Sequence, residues 1–449
     1  MTSQNNTLKV GMIFISMIFF IFGFVTTFII SLSDPVKEAF NLSYTQAFLV
    51  NSAFFISYAI FSIPAGGFVK KIGYKNAIVS GLLFISVAGF LFFPAIRIES
   101  YPLFLGAIFV LSIGVVLLQT AANPYVAVLG PAETASGRLN LTQALNSIAT
   151  WIAPLLIVAL ILQTTTKVQP ADLLLPFILI AIIVFIIAIA VKVIKLPSLS
   201  QEGAGNYRTV FKHRHTILGA IGIFCYVGAE VGIGTAISSY IVLPEMGGIS
   251  RELAIKFVGL YWAGAMIGRF FGAISLSGIQ KSQTRLIFAV LVMVWAFIVG
   301  FITLEYSVAK ALTFLGFAVV NYLLMQLGKG KTNVVLSIFA AIAAIMAIVS
   351  IFSTGQIALW TIVSIGMFNS VMFPNIFSLA IKGLDQSEVS LAAGIINTLI
   401  VGGAIIPLLM GMVSDRYGIQ FSFIIPVICY LYILYYALAG SKVSKPAGQ

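Results

Sequence analysis

The sequence predicts an all-α polytopic membrane protein with about 14 spans, arranged as two six-helix repeats and an extra helix pair. Three observations predict it. The 449 residues are 60% hydrophobic and 8% charged, with a mean hydropathy of +1.09. Ordinary soluble domains carry about 25% charged residues. The apolar residues come in continuous runs near the ~20 residues that cross a bilayer. They do not alternate, so helices rather than a closed barrel must satisfy the backbone in lipid. Finally, the two halves of the chain resemble each other segment by segment.

Six apolar runs precede the middle of the chain, near 10–32, 45–69, 77–96, 103–127, 140–163 and 172–194. The first is too long for a signal-peptide core and has no small-residue cleavage site behind it, so it reads as a retained helix. The polar, basic stretch "LPSLSQEGAGNYRTVFKHRH" (196–215) follows and reads as a linker loop. Eight runs come after it, near 216–242, 254–276, 286–304, 309–327, 333–352, 357–380, 391–413 and 420–440.

"AANPYVAVLG" lies against "VMFPNIFSLAIKG", which pairs Pro124 with Pro374 and Gln119 with Asn369. "LTQALNSIATWIAPLL" lies against "AGIINTLIVGGAIIPLL", which pairs Asn146 with Asn397. Earlier segments align at an offset shorter by the length of two helices. The organisation expected is a bundle over 1–195, a linker over 196–215 and a second bundle over 216–449 with an inserted pair near 286–327.

The net charge of +12 reads as topology code rather than a nucleic-acid footprint. With the N-terminus inside, 17 of the 25 Lys and Arg residues fall on the inner side, seven on the outer side, and Arg269 falls in a span. Both termini are therefore expected in the cytoplasm. Cys225 and Cys429 fall in apolar runs and read as small buried hydrophobes. No Walker A pattern, zinc-ligand spacing or catalytic triad is present, so neither an enzyme nor an ATP-driven pump is expected, and no cofactor.

Polar groups inside spans mark pathways by default. Asp34, in "SLSDP", reads either as a proton carrier or as a helix-end carboxylate before Pro35. Gln119, Thr120 and Asn123 sit on the fourth span, where Gln119 and Asn123 share a face. Amides supply both donors and acceptors, the mixture that sugar hydroxyls need, but they also glue helices together. Asn140, Gln143 and Asn146 repeat the pattern on the fifth span. Glu230, in "CYVGAEVGIGT", reads as a binding or coupling group or as a structural carboxylate, beside glycines that allow close helix approach. Arg269 is expected to snorkel or to join an inter-loop ion pair. Asn369, Asn375 and Asn397 mirror the first-half amides, and Tyr261 and Trp262 offer either a surface for a sugar ring or packing. His213 and His215 read as solvated loop residues.

Two six-helix repeats joined by a cytoplasmic loop are the plan of the major facilitator superfamily. In such transporters the substrate site lies between the halves, near the bilayer midplane. The chain resembles the branch of that superfamily that couples fucose or glucose–galactose uptake to protons. The resemblance rests on "SDP", "NSAFFISYAIFSIPAGGFVKKIGYK", "LLQTAANPYVAVLGP", "RLNLTQALNS", "YVGAEVGIGT", "YWAGAMIGRFFG" and "GMFNSVMFPNIFSLAIKGL". It implies the major facilitator fold and import of a monosaccharide with a proton. It implies coupling at Asp34, whose protonation from outside favours the loaded inward transition. It also implies sugar binding at Gln143 and Asn146. The chain departs from the family three times. The segment 286–327 has no counterpart in the twelve-helix members. Gln119 stands where fucose permeases have a glutamate, which removes a titratable group and points away from fucose. "GGFVKKIGYK" lacks the usual acidic residue of its loop.

The reading is therefore a secondary transporter of the bacterial inner membrane that imports a hexose such as glucose or galactose with a proton, by alternating access. A sugar uniporter and a proton-coupled drug antiporter are the alternatives. Asp34 and Glu230 are the coupling candidates. Gln119, Asn123, Gln143, Asn146, Asn369, Asn397 and Trp262 are the sugar-binding candidates. The expected partners are a sugar, protons and the lipid bilayer, with no nucleic acid, and a monomer is the expected working form.

Overall fold

In the computed structural model, residues 2–128, 135–162, 167–194, 207–246, 248–276, 281–384 and 386–443 are described. Among these the chain is helical throughout, with no strand. Thirteen helical spans are long and apolar enough to cross a membrane, and a shorter apolar segment, Asn146–Leu162, occupies the fifth position. The expected series of about 14 segments therefore forms. The chain divides into two compact units, Met1–Gly203 and Ala204–Gln449.

The first unit contains α1 (Thr2–Ser31), α2 (Ser33–Ala39), α3 (Tyr44–Ile72), α4 (Tyr74–Arg97), α5 (Tyr101–Val128), α6 (Ala135–Ile157) and α7 (Leu174–Val193). A π-helical stretch, Val158–Leu162, extends α6. α1 ends before α2 because Pro35 has no N–H to bond back to Ser31, while a proline is tolerated in the first turn of a new helix. Its core is aromatic. Phe177 of α7 stacks on Phe92 of α4 at 3.6 Å between ring centres and meets Phe28 of α1 edge-on. Ser86 of α4 donates to the Ala181 carbonyl of α7 at 2.9 Å, which satisfies a buried hydroxyl where water is absent.

The second unit begins with the short α8 (Tyr207–Val210) and continues through α9 (Arg214–Ile241), α10 (Arg251–Leu276), α11 (Ser282–Thr303), α12 (Val308–Leu327) and α13 (Thr332–Phe352). Then come α14 (Gly355–Asn369), α15 (Met372–Ala380), α16 (Gln386–Thr398), α17 (Gly402–Tyr417) and α18 (Ile424–Tyr435). α10 and the span formed by α14 and α15 are the most enclosed, with α9 next, while α11 and α12, the expected inserted pair, pack together and expose much of their outer faces.

α14 and α15 form one span that is broken at Ser370 and Val371. Pro374 lies in the first turn of α15, where its missing N–H breaks no internal helix bond. The equivalent segment of the first unit, α5, is one helix through Pro124. The repeat thus fixes the place of the proline, not the break.

His215 differs from its expected solvated state. α9 starts at Arg214, so His215 lies in its first turn and is fully buried. Its Nε2 is 2.9 Å from the Lys382 carbonyl in the turn after α15, which supplies a partner for a buried ring nitrogen. His213 is 3.4 Å from Glu388 of α16.

Helix crossings rest on small residues, as in other membrane bundles. A Cβ on Gly366 would lie 2.0 Å from the Tyr261 carbonyl oxygen, in the backbone of α10. Gly366→Ala is therefore expected to destabilise the protein by about 1–3 kcal/mol, as overpacking does. Gly316, on the exposed face of α12 with open space around it, is the control. Gly316→Ala should leave the melting temperature of detergent-purified protein unchanged or slightly raised, and Gly366→Ala should lower it.

Candidate functional site

In the first unit, Asp34 is half-buried in the first turn of α2. Its neighbour Ser33 is fully buried. The Ser33 hydroxyl donates to the Ile30 carbonyl and accepts from Asn51 Nδ2 of α3, both at 3.2 Å. The turn that carries Asp34 is thereby tied to both flanking helices. Gln119 is half-buried on α5, one residue before Thr120, whose hydroxyl bonds back to Val116. Gln143 projects from α6 as an exposed side chain, and Asn146, one turn on, is buried. Asn146 Nδ2 donates to the Phe19 carbonyl of α1 at 3.0 Å. Gly23 makes room for it, since a Cβ there would lie 2.3 Å from that nitrogen. Asn146 thus links helices whatever else it contacts. The side chains of Asn123 and Asn140 lie outside the described residues.

The second unit gathers its polar groups more tightly. Glu230 lies mid-way along α9 and is buried. Its Oε1 is 3.9 Å from Arg269 Nη2 of α10 and has no hydrogen-bond partner. Arg269 therefore reaches an intramembrane carboxylate rather than snorkelling or joining an inter-loop pair. α10 passes α9 closely enough for a long side chain to do so, and isolated charge in lipid is costly. Tyr226 sits one turn before Glu230, and its buried hydroxyl lies beside the same charged pair. The spacing of four makes it legible in the sequence, although it was not among the candidates.

Beside this pair runs a fully satisfied relay. Tyr430 of α18 donates to Asn369 Oδ1 at 2.9 Å. Asn369 Nδ2 donates to Tyr261 Oη of α10 at 2.8 Å. Tyr261 in turn donates to the Glu230 backbone carbonyl at 2.9 Å. All three side chains are buried, so Asn369 has both ends of its amide engaged with protein and pins four helices. Trp262 is 5% exposed, set edge-on to Tyr261 at 5.2 Å between ring centres, and its indole N–H has no partner. Its ring fits against α9 at Gly234, one turn beyond Glu230. Gly228 and Gly232 do the same for Ile406 and Met410 of α17.

Asn397 is half-buried in the last turn of α16, just before a 3-10 stretch, Leu399–Val401, that leads into α17. Asn375 is buried on α15, and its Nδ2 has no partner. Among the described residues no three His, Cys, Asp or Glu side chains come together as a metal site.

Broken helices and polar groups buried among apolar spans are the hallmarks of a membrane transporter. Residues 13–319 match the Major Facilitator Superfamily, and the chain belongs to that family. It is 38% identical over 449 residues to a glucose/galactose transporter of Brucella abortus (strain 9-941), covering 98% of this chain and 96% of the relative. It is 29% identical to the L-fucose-proton symporter of Escherichia coli (strain K12), covering 91% and 88%. Among solved structures it is similar to the crystal structure of the transporter FucP in the outward conformation, with a TM-score of 0.64, 26% identity, and coverage of 97% of this chain and 100% of that one.

Proposed function

We propose that the protein imports a monosaccharide, a hexose such as glucose or galactose, together with a proton by alternating access. The observation that carries this reading is the polar capacity left open in the second unit. Glu230 Oε1 and Trp262 Nε1 are buried in membrane spans without a protein hydrogen-bond partner, and the Tyr226 hydroxyl lies beside the Glu230–Arg269 pair. Buried polar atoms are nearly always satisfied, so polar groups with spare capacity on two adjacent helices suit a polar ligand. One acceptor, a hydroxyl and an N–H beside an indole face suit a polyol ring. The names of the relatives, a glucose/galactose transporter and an L-fucose-proton symporter, support the same substrate class.

Asp34 is the proposed proton carrier, and Glu230, balanced by Arg269, is a second titratable group. Gln119, Asn123, Gln143, Asn146, Asn397 and Trp262 are the proposed sugar contacts. Asn369, with its amide engaged by two tyrosines, holds the wall rather than the sugar. The protein is proposed to work as a monomer in the bacterial inner membrane with both termini in the cytoplasm, which the excess of basic residues on one side supports.

Purified protein in liposomes, given labelled glucose, galactose, mannose and fucose with an inward proton gradient, is expected to accumulate glucose or galactose above the outside concentration. A protonophore is expected to abolish the accumulation. Uptake that only equilibrates would make this a uniporter, and no sugar uptake at all would favour the drug-antiporter reading.

A further inference from the structure

α12 packs along the first half of the broken span, where Phe317 stacks with Trp360, and at one place one of its side chains reaches the span's backbone. A helix end leaves its last four carbonyls without internal partners, and in α14 these include the carbonyl of Met367. It accepts from two side chains: Ser370 Oγ at 2.6 Å, within the break, and Asn321 Nδ2 of α12 at 2.9 Å. Asn321 is fully buried. It belongs to the inward stripe of α12, with Ala311, Phe314, Ala318 and Met325, on a helix whose other faces are largely exposed.

The opposite side of the break is fitted just as closely. "GAMIGRFFG" of α10 places glycines at 264, 268 and 272. Cβ atoms there would lie 2.9 Å from Met367, 2.2 Å from Ser370 and 2.6 Å from Val371. The break is thus held between the glycine stripe of α10 and the amide of α12. Two further ties fix α12 and its turn to α10. Gln326 Nε2 donates to Ser275 Oγ at 2.8 Å. Lys256 is 2.8 Å from both Glu252 on its own helix and Glu305 in the α11–α12 turn.

Resting on the function proposed above, we infer that α11–α12 is a buttress for the broken span, and that Asn321 is a positioning residue. By holding Met367 it fixes Asn369 two residues on, and with it the Tyr430–Asn369–Tyr261 relay that ends on the Glu230 backbone. An amide suits this place because lipid offers a freed carbonyl no water in exchange.

The test compares Asn321→Leu, which removes the donor at similar volume, with Gln326→Leu, which removes a tie on the same helix away from the break. Two readouts are taken. One is hydrogen–deuterium exchange of purified protein over residues 366–373, which needs no substrate. The other is the KM and maximal rate of labelled-galactose uptake, per folded molecule. Asn321→Leu is expected to speed exchange over 366–373 and to raise KM by about three- to tenfold, the range of interhelical hydrogen bonds in membranes, with the maximal rate within about twofold. Gln326→Leu is expected to leave both at wild type. Ser370→Ala, which removes the other donor, should shift them in the same direction and serves if Asn321→Leu does not fold. Unchanged exchange in Asn321→Leu, faster exchange with wild-type KM, or an equal KM shift in Gln326→Leu would each overturn the inference. If the wild type carries no sugar, the proposed function fails separately, and with it the positioning role, while exchange alone decides whether α12 buttresses the break.

Discussion

Asp34→Asn is expected to abolish uptake of glucose or galactose against a gradient while sparing equilibrative exchange. A proton entering with the sugar down a potential of 100 mV contributes ~2.3 kcal/mol, which corresponds to accumulation of about 50-fold. Asparagine keeps the size and hydrogen-bonding of the side chain but cannot load and release a proton. The accumulation ratio should therefore fall to about one, while counterflow between labelled and unlabelled sugar inside preloaded vesicles should continue. The turn should survive the change, because its tie to the flanking helices runs through Ser33 and Asn51. Asp34→Glu should restore part of the accumulation. Wild-type accumulation in Asp34→Asn would move the coupling role elsewhere, with Glu230 the next to examine.

Arg269→Met is expected to harm the protein more than the double variant Glu230→Gln with Arg269→Met. The single change leaves a buried carboxylate without its cation. Breaking a fully buried pair costs about 3–5 kcal/mol. Here the 3.9 Å separation and the one-third exposure of the Arg269 side chain reduce that toward about 2 kcal/mol, because solvent screens exposed charges. The double variant removes both charges and should regain most of the lost melting temperature, yet it should not regain transport, since the carboxylate proposed to act there is gone. Thermal unfolding and liposome uptake of the wild type and the two variants give the comparison. Equal destabilisation by the single and double changes would show that the two charges do not interact.

The membrane helices were legible because lipid imposes one local rule: the backbone must satisfy itself within each span, so every span needs its own apolar run. The helix end at Pro35 was legible for the same local reason, since that residue falls in the first turn of the helix that follows the interruption. The break before Pro374 was not legible, because its repeat partner Pro124 lies in an unbroken helix. What could not be read was the partner of each polar side chain. Arg269 looked like a residue reaching for the interface, and only the packing of α10 on α9 turns it toward Glu230. Asn369 looked equivalent to Gln119 through the repeat, yet two tyrosines from other helices engage its amide. His215 looked solvated until α9 was seen to start one residue before it.

By itself, then, the sequence determined that this chain is a bundle of about 14 apolar helices, where its polar residues enter the spans, and which family it resembles. These follow from composition and spacing along one helix at a time. The tertiary structure decided which of those polar groups are engaged and which stay open. It gave Asn146 to Phe19, Asn369 to Tyr261 and Tyr430, and Asn321 to Met367, and it left Glu230 Oε1 and the Trp262 indole N–H with unused hydrogen-bonding capacity. The physical reason is that a buried amide or carboxylate is satisfied by whichever helix packs beside it, and which helix that is depends on contacts between residues far apart in the chain.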